Sequence, residues 1–175
     1  KQDSFAFDEG NPLPKPFNVE DNEGGGTLSI NNNLLFFTKC SKISGNYNNC
    51  DIYFSEKIDG IWGDIQSLNA KICPKYSWES QPSLSSDGKT LFFASDRDGG
   101  YGGIDLYKIT KNYLGFWGEP VNLGPSINSP NNEKSPFIHP DGKTLYFASD
   151  NFPSLGGYDI FISRIDSLNK WQKSK

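Results

Sequence analysis

Three aspartates, Asp96, Asp98 and Asp105, flank the glycine-rich run Gly99-Gly100-Tyr101-Gly102-Gly103. Carboxylates this close together are the raw material of a Ca²⁺ site. As a pair, Asp96 and Asp98 could also serve a hydrolase. The run lacks the full ligand series and terminal Glu of an EF-hand loop. It also lacks the following helix that a phosphate loop needs. Aspartates that cap turns account for the same pattern without any ligand. The single His, His139, lies next to the turn Pro140-Asp141-Gly142 and has no Ser or Cys partner pattern, so it reads as a solvated turn residue. Three Cys and one His fall short of the four spaced ligands of a structural zinc site. No catalytic residue, resident metal or cofactor is expected.

The segments that position these residues are repeated. Asp87 to Asp96 reads Asp-Gly-Lys-Thr-Leu-Phe-Phe-Ala-Ser-Asp and returns, with Tyr for the first Phe, as Asp141 to Asp150. Gly102-Gly103-Ile104-Asp105-Leu106-Tyr107 returns as Gly156-Gly157-Tyr158-Asp159-Ile160-Phe161. Leu91 and Leu145, Asp105 and Asp159, and Trp117 and Trp171 are each 54 residues apart. A weaker copy precedes them, with Asp51 lying 54 residues before Asp105 and Glu23 lying 56 before Glu79. The repeats span about 23–70, 79–123 and 133–175, after an extended, proline-punctuated segment 1–22. Lys-Pro-Phe-Asn at 15–18 loosely matches Glu-Pro-Val-Asn at 119–122, which offers the N-terminus as a strand completing a sheet elsewhere.

Each repeat reads as four antiparallel strands. In the second these are Gln81–Leu84, Thr90–Ser95, Ile104–Ile109 and Glu119–Leu123; the third stops before its fourth strand. In the first, Cys40–Cys50 reads as a loop between strands. Asp-Gly closes a hairpin because Gly accepts positive φ without splaying the strands. Leu-Phe-Phe-Ala is continuously apolar, as a strand buried on both faces must be. The repeated Trp should wedge between neighbouring sheets. Four strands per period is the unit of a β-propeller blade, and the fold class is all-β with about three such blades. A closed propeller takes roughly 4–8 blades, so the chain reads as a fragment or a partial propeller.

Composition agrees. There are 13 Phe, 8 Tyr and 4 Trp, with 18 Gly and 11 Pro to punctuate strands. The net charge of −4 and scattered Lys and Arg exclude the footprint of a nucleic-acid binder. No apolar run is long enough to span a membrane as a helix. The chain begins at Lys1 and contains no Met, which reads as a processed or excised segment.

The phrases at 133–150 (Glu-Lys-Ser-Pro-Phe-Ile-His-Pro-Asp-Gly-Lys-Thr-Leu-Tyr-Phe-Ala-Ser-Asp), 156–164 and 117–128 resemble the WD-like repeats of TolB-like periplasmic proteins. They are most similar to the propeller of Bacteroidetes OmpA-family lipoproteins, including the propeller component of the type IX secretion system. The resemblance runs from Glu23 onward and is weakest in the first repeat. It implies a periplasmic, outer-membrane-associated setting and a protein partner in the cell envelope. It also implies further blades, in the same chain or another, to pack against. The expected function is a non-catalytic binding or scaffold module in a secretion or peptidoglycan-anchoring assembly. The alternatives are the propeller of a glycan-active or peptidase enzyme, and a carbohydrate-binding module.

In that setting Cys40 and Cys50, which take the positions of Asp96 and Ile104, are expected to form a disulfide, with two free thiols as the alternative. Cys73 is left unpaired and open to reaction between molecules. Glu23, Glu79 and Glu133 recur before each first strand, which in propellers runs nearest the axis. They are candidates for a channel mouth that binds a cation or basic peptide, or for hydrogen bonding to the neighbouring blade. Tyr101, Tyr113, Phe116 and Phe152 fall in loops as candidate binding anchors.

Overall fold

A computed structural model describes residues 10–18, 22–44, 47–151 and 156–175. The described residues form twelve strands and no helix. β1 (Asn22–Leu28), β2 (Leu34–Ser44), β3 (Tyr47–Ile58) and β4 (Ile61–Trp62) pair in order, and β5 (Gln66–Ser67) also pairs with β3. β6 (Glu79–Leu84), β7 (Thr90–Ser95), β8 (Asp105–Thr110) and β9 (Val121–Asn122) make the second sheet. β10 (Glu133–Ile138), β11 (Thr144–Ser149) and β12 (Asp159–Arg164) make the third. All pairings are antiparallel. Residues 171–175 run beside β12, where Ile162 and Lys175 exchange two N–H···O bonds of 3.0 Å. The third repeat therefore carries the beginning of a fourth-strand pairing.

Two departures from the sequence reading have clear causes. The strands extend into the segment expected as a loop, with β2 reaching Ser44 and β3 starting at Tyr47, and Cys40 pairs directly with Cys50. Among residues 10–18 no strand forms. Instead Phe17, 3% exposed, covers the first sheet's outer face, with ring centroids 5.5 Å from Phe37 and 5.7 Å from Trp62.

The core lies in two layers between sheets. Alternation along β7 sends Leu91 and Phe93 into the layer shared with Phe36 and Ile52 of the first repeat and with Ile72, which follows it. It sends Phe92 and Ala94 into the layer shared with Ile138, Leu145 and Phe147 of the third. A strand sandwiched in this way has no solvent face, which is why its sequence does not alternate. Trp117 meets Phe36 edge-on at 5.8 Å, and Trp171 meets Phe92 at 6.2 Å. The indole thus seals each junction between neighbouring sheets.

Each first strand also breaks its ladder at one repeated place. The register shifts between Gly24 and Thr27, Ser80 and Ser83, and Lys134 and Phe137. Gly25, Gln81 and Ser135 there have φ of 57°, 57° and 52°. These are β-bulges, and their N–H groups need acceptors other than the adjacent strand. The sheet before supplies them. Thr38 Oγ1 accepts from Gln81 N at 3.0 Å, and Gln81 Oε1 accepts from Ser135 N at 2.8 Å. Past the bulge, where the ladder pairing has resumed, Thr27 Oγ1 accepts from Leu84 N at 3.2 Å, and Ser83 Oγ accepts from Ile138 N at 3.0 Å. The next equivalent position is Phe137, so this hydroxyl series ends in the third sheet.

The Asp-Gly turns form as expected, with Gly88 at φ 68° and Gly142 at φ 66°. Asp141 accepts from the Lys143 and Thr144 N–H groups and from the Thr144 hydroxyl. Those bonds, the one from Lys143 foremost, lower its pKa from 3.8 to about 2. A lowered carboxylate pKa stabilises the turn fully above the ordinary value, and the effect is lost as pH falls through the folded one. An NMR titration of the Asp141 carboxyl should therefore show a midpoint near 2 rather than 3.8. At Ser135, substitution by Gly should leave stability unchanged or raise it by up to about 1 kcal/mol, whereas the β-branched Val should cost about 1–2 kcal/mol. Urea unfolding of the two variants separates these outcomes.

Candidate functional site

The polar groups that the sequence singles out fall into three arrangements. The first is the loop 96–105. Asp96 Oδ1 accepts from Trp78 N at 2.7 Å, which fixes the entry to β6. Asp150 repeats this with Asn132 N at 2.8 Å. Asp105, only 1% exposed, accepts from the N–H groups of Tyr101 and Gly102 and from the Asn122 amide. Asp98 is exposed. The three aspartates thus act separately, and among the described residues their oxygens do not converge as ligands. Gly99, at φ 85° with open space around it, serves the turn, whereas Gly102 and Gly103 are there for packing. A Cβ on Gly102 would lie 2.1 Å from the Asn131 carbonyl, so only Gly lets this loop press on the segment leading to β10.

The second arrangement corrects the reading of Glu79 and Glu133 as channel-mouth residues, since both are fully buried. Glu133 Oε1 accepts from the Ser129 and Ser149 hydroxyls at 2.6 and 2.7 Å, and Oε2 accepts from Ser129 N at 2.9 Å. Glu79 Oε1 accepts from Ser77 and Ser95 hydroxyls, both at 2.7 Å, and from Arg97 Nη2 at 3.0 Å. Each carboxylate locks the start of its first strand to the end of the second. Burial pushes the Glu79 pKa up, against the pull of its serines and Arg97. Glu23 is half-buried and accepts from Asn18 N at 2.8 Å.

Arg97 is the residue that sequence reading passed over. Its guanidinium lies 5.3 Å from the Phe93 ring centre and 4.9 Å from that of Tyr107, and it donates to the Ile72 carbonyl and to Glu79. The equivalent position in the third repeat is Asn151, so the repeat gave no signal for it. Cys73 lies in the same region, buried rather than open to intermolecular reaction. Desolvation pushes its thiol up to about 12. Cys40 and Cys50 form a disulfide, which joins β2 to β3 where the other repeats have no such bond.

The third arrangement is exposed. Tyr113, Leu114 and Phe116 are 94%, 63% and 68% exposed in the hairpin loop between β8 and the residues that lead to β9. The loop is ordered by Asn112, whose Oδ1 accepts from Leu114 N and Phe116 N at 2.9 and 3.0 Å. The matching loops expose Ile58 and Ile61 in the first repeat and Leu168 in the third. Tyr101 is half exposed, and His139 is a turn residue whose Nδ1 accepts from Asp141 N at 3.2 Å. Phe152 lies outside the described residues. Among those residues no helix is long and apolar enough to cross a membrane.

No family model matches the chain, and no curated protein does. Among solved structures, a puromycin-hydrolysing peptidase of Mycobacterium tuberculosis is similar at 15% identity with a TM-score of 0.54. The similarity covers 81% of this chain and 22% of the peptidase, and at that identity it concerns the fold alone.

If the buried carboxylates lock the sheets, Glu133→Ala strands three donors and should cost about 3 kcal/mol or more. Asp98→Asn, on the exposed loop, should stay within about 0.5 kcal/mol of the parent. Chemical denaturation of both variants checks the contrast, and equal stabilities would refute it.

Proposed function

We propose that the chain is a set of β-propeller blades acting as a non-catalytic binding and scaffold module of a periplasmic cell-envelope protein. The observation that carries this reading is the ordered apolar loop Tyr113-Leu114-Gly115-Phe116. Large apolar side chains held rigidly in solvent lose little entropy on binding, and aromatic anchors of this kind dominate protein interfaces. The Glu133 carboxylate, with donors on both oxygens, supports a rigid structural role over proton transfer. The Cys40–Cys50 disulfide fits an oxidising compartment such as the periplasm. The resemblance of the repeats to OmpA-family lipoprotein propellers suggests a type IX secretion or peptidoglycan-anchoring assembly.

The third sheet's outer face supports lateral packing against another sheet or chain. It exposes Phe137 and Ile160 at 54% and 82%, and a Cβ on Gly156 or Gly157 would meet nothing within 4 Å. A second reading, a propeller joined to a peptidase, draws on the likeness to the puromycin-hydrolysing enzyme. Peptide hydrolysis that vanished on Asp96→Asn would favour it. Binding to a glycan array would instead favour a carbohydrate-binding module.

Cell-envelope extract passed over the immobilised chain should yield a retained envelope or secretion protein. The triple variant Tyr113→Ala, Leu114→Ala, Phe116→Ala should lose that protein while keeping the parent circular dichroism. Recovery of no envelope protein, or equal recovery by the variant, would sink the proposal.

A further inference from the structure

The two buried carboxylates are built alike but finished differently. Glu133 has donors on both oxygens. Glu79 has three donors on Oε1, while Oε2 is buried with no hydrogen-bond partner. In the third repeat the backbone N–H of Ser129 fills this role. In the second, the serine sits two residues before the glutamate instead of four, and no N–H reaches Oε2. Leaving a carboxylate oxygen bare in the interior costs free energy unless something positive meets it.

Close to Glu79 stand a second carboxylate and a thiol rather than another N–H. One carboxylate oxygen each from Asp51 and Glu79 and the sulfur of Cys73 lie within 4.8 Å of one another. Asn49, 2% exposed, donates its amide to Asp51 Oδ1 at 3.1 Å, and its own Oδ1 is buried without a partner. Asp51 itself departs from its counterpart, since Asp105 is spent on loop N–H groups. Two carboxylates and a thiol thus gather at the junction of the first two sheets; one of the carboxylates has a bare oxygen, and the neighbouring Asn49 amide has another.

We propose that Asp51, Cys73 and Glu79 bind a divalent cation of the borderline class, Zn²⁺, with Asn49 at its edge. Zn²⁺ takes thiolate and carboxylate ligands together at about 2.0–2.3 Å, so three donors within this span can close on one ion. Binding forms a Zn–S bond as the Cys73 S–H releases its proton to solvent. The charges then cancel, with two from zinc and one from Arg97 against two carboxylates and one thiolate. Arg97 holds Oε1, which leaves Oε2 for the ion. The cleft lined by Lys75, Tyr76, Ser77, Asp96, Arg97 and Asp98 lies beside the cluster and gives an approach from solvent. This site is independent of the Tyr113–Phe116 loop.

The test uses the intact chain, stripped with a chelator and then loaded with Zn²⁺ or Co²⁺ alone. One equivalent of either metal should be retained through gel filtration, and the Co²⁺ form should show a thiolate-to-metal charge-transfer band. Cys73→Ser should abolish that band. Asp51→Asn, at a half-exposed position, should weaken Zn²⁺ binding about tenfold or more with the circular dichroism unchanged. Asp64→Asn, at an exposed position away from the cleft, should bind as the parent does. Failure to retain metal, a Co²⁺ spectrum without the thiolate band, or unchanged affinity in Asp51→Asn would each overturn the proposal. The first of these would leave a buried water as the partner of Glu79 Oε2.

Discussion

A backbone N–H turned out of its own ladder needs another acceptor, and that requirement ties these sheets together. Each first strand bulges at one position, and the bulge turns N–H groups away from the strand beside it. Thr27 and Thr38 of the first sheet and Gln81 and Ser83 of the second answer them. The apolar layers then close around these bonds, with Trp117 and Trp171 sealing the edges. Apolar burial supplies the larger free energy, but it is indifferent to register. The hydrogen bonds fix which residue of one sheet faces which residue of the next.

The carboxylates extend the same economy inside each sheet. Glu79 and Glu133 stand opposite Ser95 and Ser149 in the ladder and bond to them across it. Asp96 and Asp150 do the equivalent work at the mouth of the same strand pair. The first sheet departs most from this scheme. Lys39 stands opposite Glu23, and Cys40, which takes the place of Asp96, joins Cys50 covalently. A covalent cross-link there supports a long β2–β3 hairpin, where the sister sheets use an aspartate and a glycine loop.

Much of the architecture was legible because it is periodic. Thr90–Ser95 was read with its true bounds, and its unbroken apolar run anticipated burial on both faces. The Asp-Gly turns and the Cys40–Cys50 bond could be read by aligning one repeat on another. The bulges were missed although Pro82 and Pro136 mark two of them; a proline within a strand is confined to edges and bulges. The length of β2 and β3 was missed because Lys-Cys-Ser-Lys has no apolar alternation to follow. The burial of Glu79 was hidden for another reason. Serine is common in turns, and only the fold shows that Ser77 and Ser95 aim at one carboxylate. Arg97, Asp51 and Cys73 have no counterpart doing the same job in another repeat, so periodicity could not announce them.

The links between sheets have a direction. Along the irregular strands the acceptor belongs to the earlier sheet and the N–H to the later one, although beside the turn Ser86 donates its hydroxyl forward to the Pro140 carbonyl. An earlier sheet standing alone exposes hydroxyls and an amide, which water satisfies at little cost. A later sheet standing alone has only water to meet the N–H groups of its irregular strand. Assembly from the N-terminal end therefore meets each demand as it arises, and each finished sheet is a template for its successor. In a growing polypeptide, the order of synthesis and the order of satisfied bonds coincide.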